Sequence, residues 1–92
     1  MKPLPPLQIE TALATVPDWT AKGAAITRTF QFHSFAVAII FVNHVARLAE
    51  AAQHHPDIDI RWNRVTLTLS THDAGGLTEK DFALARQCDQ MA

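Results

Sequence analysis

Apolar and polar residues alternate most regularly in two neighbouring segments, residues 57–62 and residues 65–70. This period of two is typical of β-strands that bury one face. Only residues 63–64 separate the segments, and a loop of that length predicts a tight hairpin turn whose asparagine tolerates a left-handed backbone. The turn also predicts the register, in which Ile60 lies opposite Leu67 and the large apolar side chains share one face.

A second hairpin is predicted earlier in the chain. Ile26 and Phe30 alternate with polar residues, and Gly23 marks a turn before them. Strands are therefore expected at residues 18–22 and 25–32. Together with the first hairpin, they provide four strands for one antiparallel sheet.

Three other segments have the spacing of apolar residues that predicts helices. Residues 7–15 form a short first helix. Ser34 is a suitable N-cap for a long second helix that runs to about Gln53. Thr78 and Asp81 have the spacing of a capping box, with Asp in place of the usual Glu or Gln, and predict the start of a last helix.

The expected order of elements is α-β-β-α-β-β-α, which defines an α+β fold: a four-stranded antiparallel sheet with helices packed on one face. The chain of 92 residues is long enough for a single domain over residues 1–92. With 48% hydrophobic residues, 18% charged residues and a formal charge of −1, the composition excludes a disordered chain. It also gives no reason to expect a nucleic-acid partner.

The cysteine count and the apolar segments bear on the compartment. Cys88 is the only cysteine, so the chain cannot form an internal disulfide, which suits a reducing compartment. The longest strongly apolar run, residues 35–42, is far shorter than the roughly 20 residues that span a bilayer. Residues 1–6 contain no apolar signal core. We therefore expect a cytoplasmic protein without a membrane partner.

The second predicted helix changes character along its length. In its second half Asn43, Arg47 and Glu50 form a polar stripe, opposite apolar residues that should face the core. In its first half, residues 36–42 leave no polar face. One side of such a helix would face water in so small a chain, so we expect another subunit to cover it. The pattern predicts a homo-oligomer that assembles through residues 34–53.

Three of the five histidines are expected at the open end of the predicted hairpin. If the register is extended, His55 comes opposite His72, and Asp57 lies on the same side of the pleat. Glu50 precedes His54 by one helical turn and lies on the same face. The sequence thus predicts that three imidazoles and two carboxylates lie close together.

Clustered imidazoles can donate and accept protons near neutral pH, so the cluster suits general acid–base catalysis. Other uses of these residues stay open. Three histidines and two carboxylates could hold zinc or iron, although the i,i+4 histidine pair of common zinc motifs is absent. Ser70 or Thr71 could be a nucleophile beside His72, but neighbours in a strand point to opposite faces. Asp81 could be only a helix cap.

The residues of the cluster and their spacing resemble the pterin-4a-carbinolamine dehydratases. The matching positions are Glu50, the run His54-His55-Pro56, Trp62, the run Leu69-Ser70-Thr71-His72, and Asp81. The resemblance extends over nearly the whole chain. It implies dehydration of 4a-hydroxytetrahydropterin, the spent cofactor of aromatic amino acid hydroxylases, to quinonoid dihydropterin. The family uses neither a metal nor a second cofactor for this reaction.

The resemblance also implies roles for single residues. His54 and His72 would be the general acid and base, in an order that it does not assign, because their titrations would be coupled. His55 would hold or polarise the pterin, and Glu50 would orient the histidines. The positions implied to bind the substrate are Glu50, Pro56, Asp57, Ser70, Thr71, Asp73 and Asp81.

Two departures from the family pattern leave substrate preference open. Gln53 stands where animal members have Asp, and Trp62 stands where Tyr is common. The family assembles as dimers or tetramers through helix contacts, which implies a homodimer or homotetramer here. Because some members bind a homeodomain transcription regulator, a non-catalytic dimerisation and coactivator module is an alternative function. A further alternative is an enzyme that acts on another pterin, such as a molybdopterin-related one.

Overall fold

The computed structural model describes all 92 residues and has the expected α+β fold with the order α-β-β-α-β-β-α. The helices are α1 (Pro6–Leu13), α2 (Phe35–Ala52) and α3 (Glu79–Met91). The strands are β1 (Thr20–Lys22), β2 (Ala25–Gln31), β3 (Asp57–Arg61) and β4 (Arg64–Leu69). A short 3₁₀ helix, His72–Ala74, follows β4. The predicted fold class is confirmed.

The sheet has the strand order β1-β2-β4-β3, and every pair is antiparallel. Buried apolar side chains of β2 and β4 alternate with polar ones, so one face of the sheet carries the core. The buried residues of these two strands are Ile26, Phe30, Val65, Leu67 and Leu69. The other face carries threonines, and the hydroxyls of Thr29 and Thr66 form a hydrogen bond of 2.8 Å across two strands.

The register of the β3–β4 hairpin differs from the prediction by two residues. Ile60 pairs with Val65 rather than with Leu67, and the turn residues are Trp62 and Asn63. The physical reason lies outside the hairpin, because the Asn63 side chain donates a hydrogen bond of 2.7 Å to the carbonyl oxygen of Phe32. A shift of two residues leaves every side chain on its predicted face, so the alternation was interpreted correctly.

The edges of the hairpin are more exposed than the prediction implied. All residues of β3 are exposed, because β3 is an edge strand beyond the helical layer. Trp62 is 72% exposed and has a φ of 52°, a left-handed conformation that is unusual for a bulky residue.

Helix α2 begins and ends close to the predicted positions. The hydroxyl of Ser34 accepts a hydrogen bond of 3.1 Å from the backbone N–H of Val37, which confirms the predicted N-cap. The helix ends at Ala52, because Gln53 takes a left-handed conformation with a φ of 53°. The core face of the helix consists of Ala38, Phe41, Val45 and Ala49.

The first half of α2 presents apolar side chains to solvent as well as to the core. Phe35 is 51% exposed, Val37 is 40% exposed and Ile40 is 55% exposed. We call these three residues the apolar front of α2. With 18 residues and a mean hydropathy of 1.5, the helix is long and apolar enough to cross a membrane by length and composition alone. Core helices of water-soluble proteins meet the same criterion.

Helix α3 closes the fold through a capping box and a buried face. The Thr78 hydroxyl and the Asp81 carboxylate cap the first turn reciprocally, as predicted. The buried residues of the helix are Asp81, Phe82, Leu84, Ala85 and Cys88. Contacts between α2 and α3 bring the first turn of α3 close to the end of α2.

Candidate active site

A cavity of about 280 Å³ lies where the end of α2, the end of β4 and the start of α3 meet. Its walls include the three histidines of the predicted cluster, His54, His55 and His72. The other lining residues are Met1, Gln53, Ser70, Thr71, Asp73 and Lys80. The volume falls near the lower limit of ligand pockets, roughly 300–1,000 Å³, so the cavity is sized for a single small ligand.

The imidazole of His54 is held by a buried carboxylate. Its Nε2 lies 2.6 Å from Oδ1 of Asp81, and the Asp81 side chain has no exposed surface while that of His54 is 10% exposed. A carboxylate accepts hydrogen bonds, so Nε2 carries the proton. The Nδ1 atom of His54 has no hydrogen-bond partner within the protein. This nitrogen is therefore free to exchange a proton with a ligand. We call His54 and Asp81 the buried pair.

Asp81 receives further hydrogen bonds from its own surroundings. Its Oδ2 accepts one of 2.8 Å from the Thr71 hydroxyl and one of 2.9 Å from the backbone N–H of Thr78. The hydroxyls of Thr71 and Thr78 also lie 2.8 Å apart. Asp81 is thus both the helix cap of α3 and the partner of His54, and three donors hold its carboxylate in one orientation.

His55 has a carboxylate partner of a different kind. Its Nε2 lies 2.5 Å from Oε2 of Glu50, but the side chains are 61% and 74% exposed. We call Glu50 and His55 the surface pair. The sequence had placed Glu50 beside His54, and that prediction is wrong. The left-handed Gln53 ends the helical path, so His54 turns towards α3 and His55 takes the place near Glu50.

His72 reaches the cavity by a route that the sequence did not predict. The β3–β4 ladder ends at the pair Asp57–Thr68, so His55 and His72 are not cross-strand partners. His72 instead begins the 3₁₀ helix after β4, and a bridge between Thr71 and Gly76 closes the loop. Its imidazole is exposed and forms no hydrogen bond within the protein. Thr71, its neighbour, turns inward to Asp81.

The remaining predicted site residues divide into two groups. Ser70, Thr71 and Asp73 line the cavity. Pro56 and Asp57 do not, because the chain there has already turned into β3, whose first residue is paired with Thr68 on β4.

Three lining residues were not among the predicted site residues. Gln53 was noted only as a departure from the family pattern, and its position directly before the paired histidines was the signal that could have placed it in the site. Lys80 lies between the two capping-box residues Thr78 and Asp81, and no sequence pattern there indicated that its side chain would line the cavity. Nothing in the sequence pattern of residues 1–6 indicated that Met1 lies beside the histidines.

The arrangement supports proton transfer better than metal binding. The Asp81 and Glu50 carboxylates are already hydrogen-bonded to an imidazole Nε2, and Asp73 is the one carboxylate in the cavity lining. No group of three or more His, Cys, Asp or Glu side chains is placed to hold a metal ion. The cavity therefore offers two oriented imidazoles and one unpartnered imidazole to the same ligand.

Comparison with known proteins identifies the family. The sequence profile of the family described as pterin 4 alpha carbinolamine dehydratase matches residues 2–91. A provisionally named pterin-4-alpha-carbinolamine dehydratase from Chloroflexus aurantiacus is 62% identical over 84 residues, which cover 91% of this chain and 90% of the relative.

Two solved structures share the fold. The crystal structure of a transcriptional coactivator/pterin dehydratase from Brucella melitensis has a TM-score of 0.95 and 35% identity, covering 99% of both chains. A pterin dehydratase-like protein identified as a RuBisCO assembly factor in the alpha-carboxysome has a TM-score of 0.67 and 28% identity, covering 80% of this chain and 86% of that one.

The fold and the histidine-lined cavity together define a protein of the pterin dehydratase type. The chain belongs to the pterin-4a-carbinolamine dehydratase family. The family resemblance seen in the sequence is thereby confirmed.

Proposed function

We propose that the protein dehydrates 4a-hydroxytetrahydropterin to quinonoid dihydropterin and water, and so recycles the pterin cofactor of aromatic amino acid hydroxylases. The observation that carries the proposal is the meeting of His54, His55 and His72 at one small cavity in a chain of this family. The reaction moves two protons and breaks one C–O bond, which is work that positioned imidazoles can do without a cofactor.

In the proposed reaction the C4a–O bond of the substrate breaks. A general acid donates a proton to the departing oxygen, which leaves as water. A general base removes the proton on N5, and the N5 electron pair forms the C4a=N5 double bond. We assign these two roles to His54 and His72 jointly, because each has an imidazole nitrogen without a protein partner.

The surface pair has a supporting role in this proposal. The Glu50 carboxylate orients the His55 ring, so that its Nδ1 can hold or polarise the pterin. Backbone groups of residues 70–73 are proposed to line the pterin ring, since these residues form one wall of the cavity. As two general acid–base groups typically contribute about 10²- to 10⁴-fold each, loss of either should be readily measurable.

The test is an assay for loss of 4a-hydroxytetrahydropterin, run with and without a chelator. Replacing His54 or His72 by Ala is expected to lower turnover by about 10²-fold or more without unfolding the protein. The matched control is His33→Ala, an exposed histidine that does not line the cavity. Near-wild-type turnover of both site variants would contradict the mechanism, and a chelator-sensitive rate would point to a metal.

A non-catalytic binding module is the alternative, since one solved relative is described as a coactivator as well as a pterin dehydratase. The complete set of three cavity histidines favours the enzyme, because a binding module has no need to keep it. Absence of turnover with every 4a-hydroxytetrahydropterin tested, in a folded protein, would favour the module. Turnover only of a molybdopterin-related compound would favour an enzyme of another pterin.

We propose that a second copy of the chain covers the apolar front of α2. The first turn of the helix has no acidic residue, so nothing there disfavours an apolar partner. In a dimer with two-fold symmetry, the same surface patch of each copy contacts that of the other. The exposed side chains of Phe35, Val37 and Ile40 would then be covered by the same three residues of the second copy. The expected assembly is a homodimer, or a homotetramer built from such dimers.

The assembly is tested with Ile40→Glu, which places a charge in the middle of the apolar front. The particle mass measured by light scattering is expected to fall to that of a smaller species, because desolvating an unpaired carboxylate is costly. Gln8→Glu, at an exposed position on α1 away from the apolar front, is the control and should leave the mass unchanged. An unchanged mass for Ile40→Glu would refute this assignment of the surface.

We propose that the protein works in the cytoplasm. Burial, and to a lesser extent the charge of Asp89, raises the pKa of the Cys88 thiol to about 12, so the only cysteine is an inert core residue that needs no oxidising compartment. The apolar composition of α2 is accounted for by the core on one side and the proposed subunit contact on the other. Recovery of the activity in the membrane fraction of a lysate would contradict this.

A further inference from the structure

The polypeptide before α1 lies against the loop that carries His72. We call residues 1–4 the N-terminal arm. The backbone N–H of Leu4 donates a hydrogen bond of 2.8 Å to the carbonyl oxygen of Leu77, and the Leu4 side chain packs against the core. The arm is therefore attached at its inner end to the segment that joins the His72 loop to α3.

A close approach at Gly76 attaches the arm a second time. A Cβ atom built on Gly76 would lie only 3.1 Å from Cβ of Pro3. Gly76 is buried and does not have a positive φ. Glycine is therefore needed at this position because there is no space for a side chain, and not because the backbone conformation excludes other residues. The absent side chain lets Pro3 lie directly on the loop that follows His72.

The outer end of the arm reaches the cavity. Met1 lines it together with the histidines and is the one hydrophobic residue among the lining residues. A thioether side chain is flexible and adapts to the shape of what it contacts. The two attachments hold Pro3 and Leu4 beside the loop and so keep Met1, whose side chain is 70% exposed, at the mouth of the cavity.

We infer that the N-terminal arm is a wall of the substrate pocket and restricts the size of the substituent at C6 of the pterin. The inference rests on the proposed function, which places a pterin in this cavity. Pterins share their polar rings and differ mainly at C6, so an apolar wall held in place by the two attachments is suited to distinguish compact from bulky C6 groups. The arm contributes to specificity and takes no part in proton transfer.

The test displaces the arm without altering a lining residue. Gly76→Ala adds a Cβ atom 3.1 Å from Cβ of Pro3, so Pro3 and the arm must shift by a few tenths of an ångström. The wild type and the variant are compared with a 4a-hydroxytetrahydropterin carrying a C6 methyl group and with one carrying a C6 p-aminobenzoylglutamate group. We expect the ratio of kcat/KM, compact over bulky, to fall by about fivefold, through KM rather than kcat, because a small shift of the wall weakens a contact without removing it, and a whole methylene contact discriminates by roughly 10- to 200-fold.

A double-mutant cycle shows whether the effect passes through Pro3. Pro3→Gly removes the side chain that the new Cβ would meet, so Gly76→Ala in that background should change the ratio by less than about twofold. Pro3→Gly alone loosens the arm and should lower the ratio in the same direction. An unchanged ratio in both single variants, or an equal effect of Gly76→Ala in both backgrounds, would overturn the inference.

Binding measurements separate this inference from the proposed function. Calorimetric titration gives the dissociation constants of the stable 6-methyl-7,8-dihydropterin and of 7,8-dihydrofolate, without any turnover. If the wild type binds but does not turn over, the proposed function fails, and the ratio of dissociation constants tests the arm in the same way. If the wild type turns over and the ratios do not change with Gly76→Ala, only the arm inference fails. Absence of turnover together with absence of binding of either pterin overturns both.

Discussion

Two histidine–carboxylate pairs flank the same cavity and differ mainly in their exposure to water. The N···O distances are nearly equal, 2.6 Å in the buried pair and 2.5 Å in the surface pair. Asp81 has no exposed side-chain surface, whereas the Glu50 side chain is 74% exposed. In the interior a hydrogen bond is electrostatically stronger and water cannot replace the partner, so equal distances do not imply equal contributions.

The pairs also differ in what else holds the carboxylate. Asp81 accepts hydrogen bonds from Thr71 and from the backbone of Thr78, and it caps α3. The Glu50 carboxylate has only His55. Removal of Asp81 would therefore disturb the segment after β4, the start of α3 and His54 together, while removal of Glu50 would free a single ring. The comparison predicts a strong effect for one carboxylate and a weak effect for the other.

Asp81→Asn is expected to have the largest effect. The amide is similar in size to the carboxylate, but its NH₂ group replaces one of two oxygens that together accept three hydrogen bonds. The NH₂ group must therefore face at least one of the three donors. We expect the free energy of unfolding to fall by about 2–4 kcal/mol. Turnover should fall by about 10²-fold or more, because an NH₂ group that faces His54 donates to Nε2 and moves the ring proton to Nδ1, the nitrogen that faces the ligand. Urea denaturation and the dehydration assay measure the two effects.

Thr71→Val is expected to have an intermediate effect. Valine keeps the shape of threonine but removes the donor to Asp81 and leaves the Thr78 hydroxyl without its side-chain partner. The expected loss is about 1–3 kcal/mol of unfolding free energy. The control is Thr29→Val, which breaks a hydrogen bond of equal length on the exposed face of the sheet and should cost less. Equal losses would show that burial does not decide the contribution.

Glu50→Gln is expected to have the smallest effect. Water competes for both partners of this exposed pair, so the free energy of unfolding should change by less than about 1 kcal/mol. Turnover should fall by no more than about tenfold, since His55 keeps a neutral hydrogen-bond partner. If Glu50→Gln lowers the free energy of unfolding and the turnover as much as Asp81→Asn does, the exposure of a pair to water does not determine its contribution.

Most of the fold could be predicted because it depends on local patterns. Alternation identified β2, β3 and β4, the turn at Gly23 indicated β1, and Ser34 and Thr78 marked the starts of two helices. The β3–β4 register could not be predicted, because it depends on a hydrogen bond from Asn63 to the carbonyl group of Phe32, which is distant in sequence. A change in register of two residues leaves every side chain on the same face of the sheet, so the alternation of apolar and polar residues cannot distinguish the two registers.

For the candidate site, it was easier to predict which side chains lie close together than which of them form hydrogen bonds with each other. The three histidines line one cavity, but Glu50 contacts His55 rather than His54. Glu50 contacts a different histidine from the predicted one because Gln53 has a left-handed backbone conformation. The spacing of apolar residues in the sequence does not indicate this conformation. The contact between His54 and Asp81 joins a residue that follows α2 to a residue in the first turn of α3, so it depends on how α2 and α3 pack.

The sequence by itself determined the element order, the buried face of the sheet, the helix caps and the family, because each follows from spacing within a short stretch of chain. Only the tertiary structure decided which carboxylate holds which imidazole, how much water reaches each pair, and that Met1 lies beside the histidines. Those features depend on the packing of segments far apart in the chain, and burial then determines how strongly each contact acts.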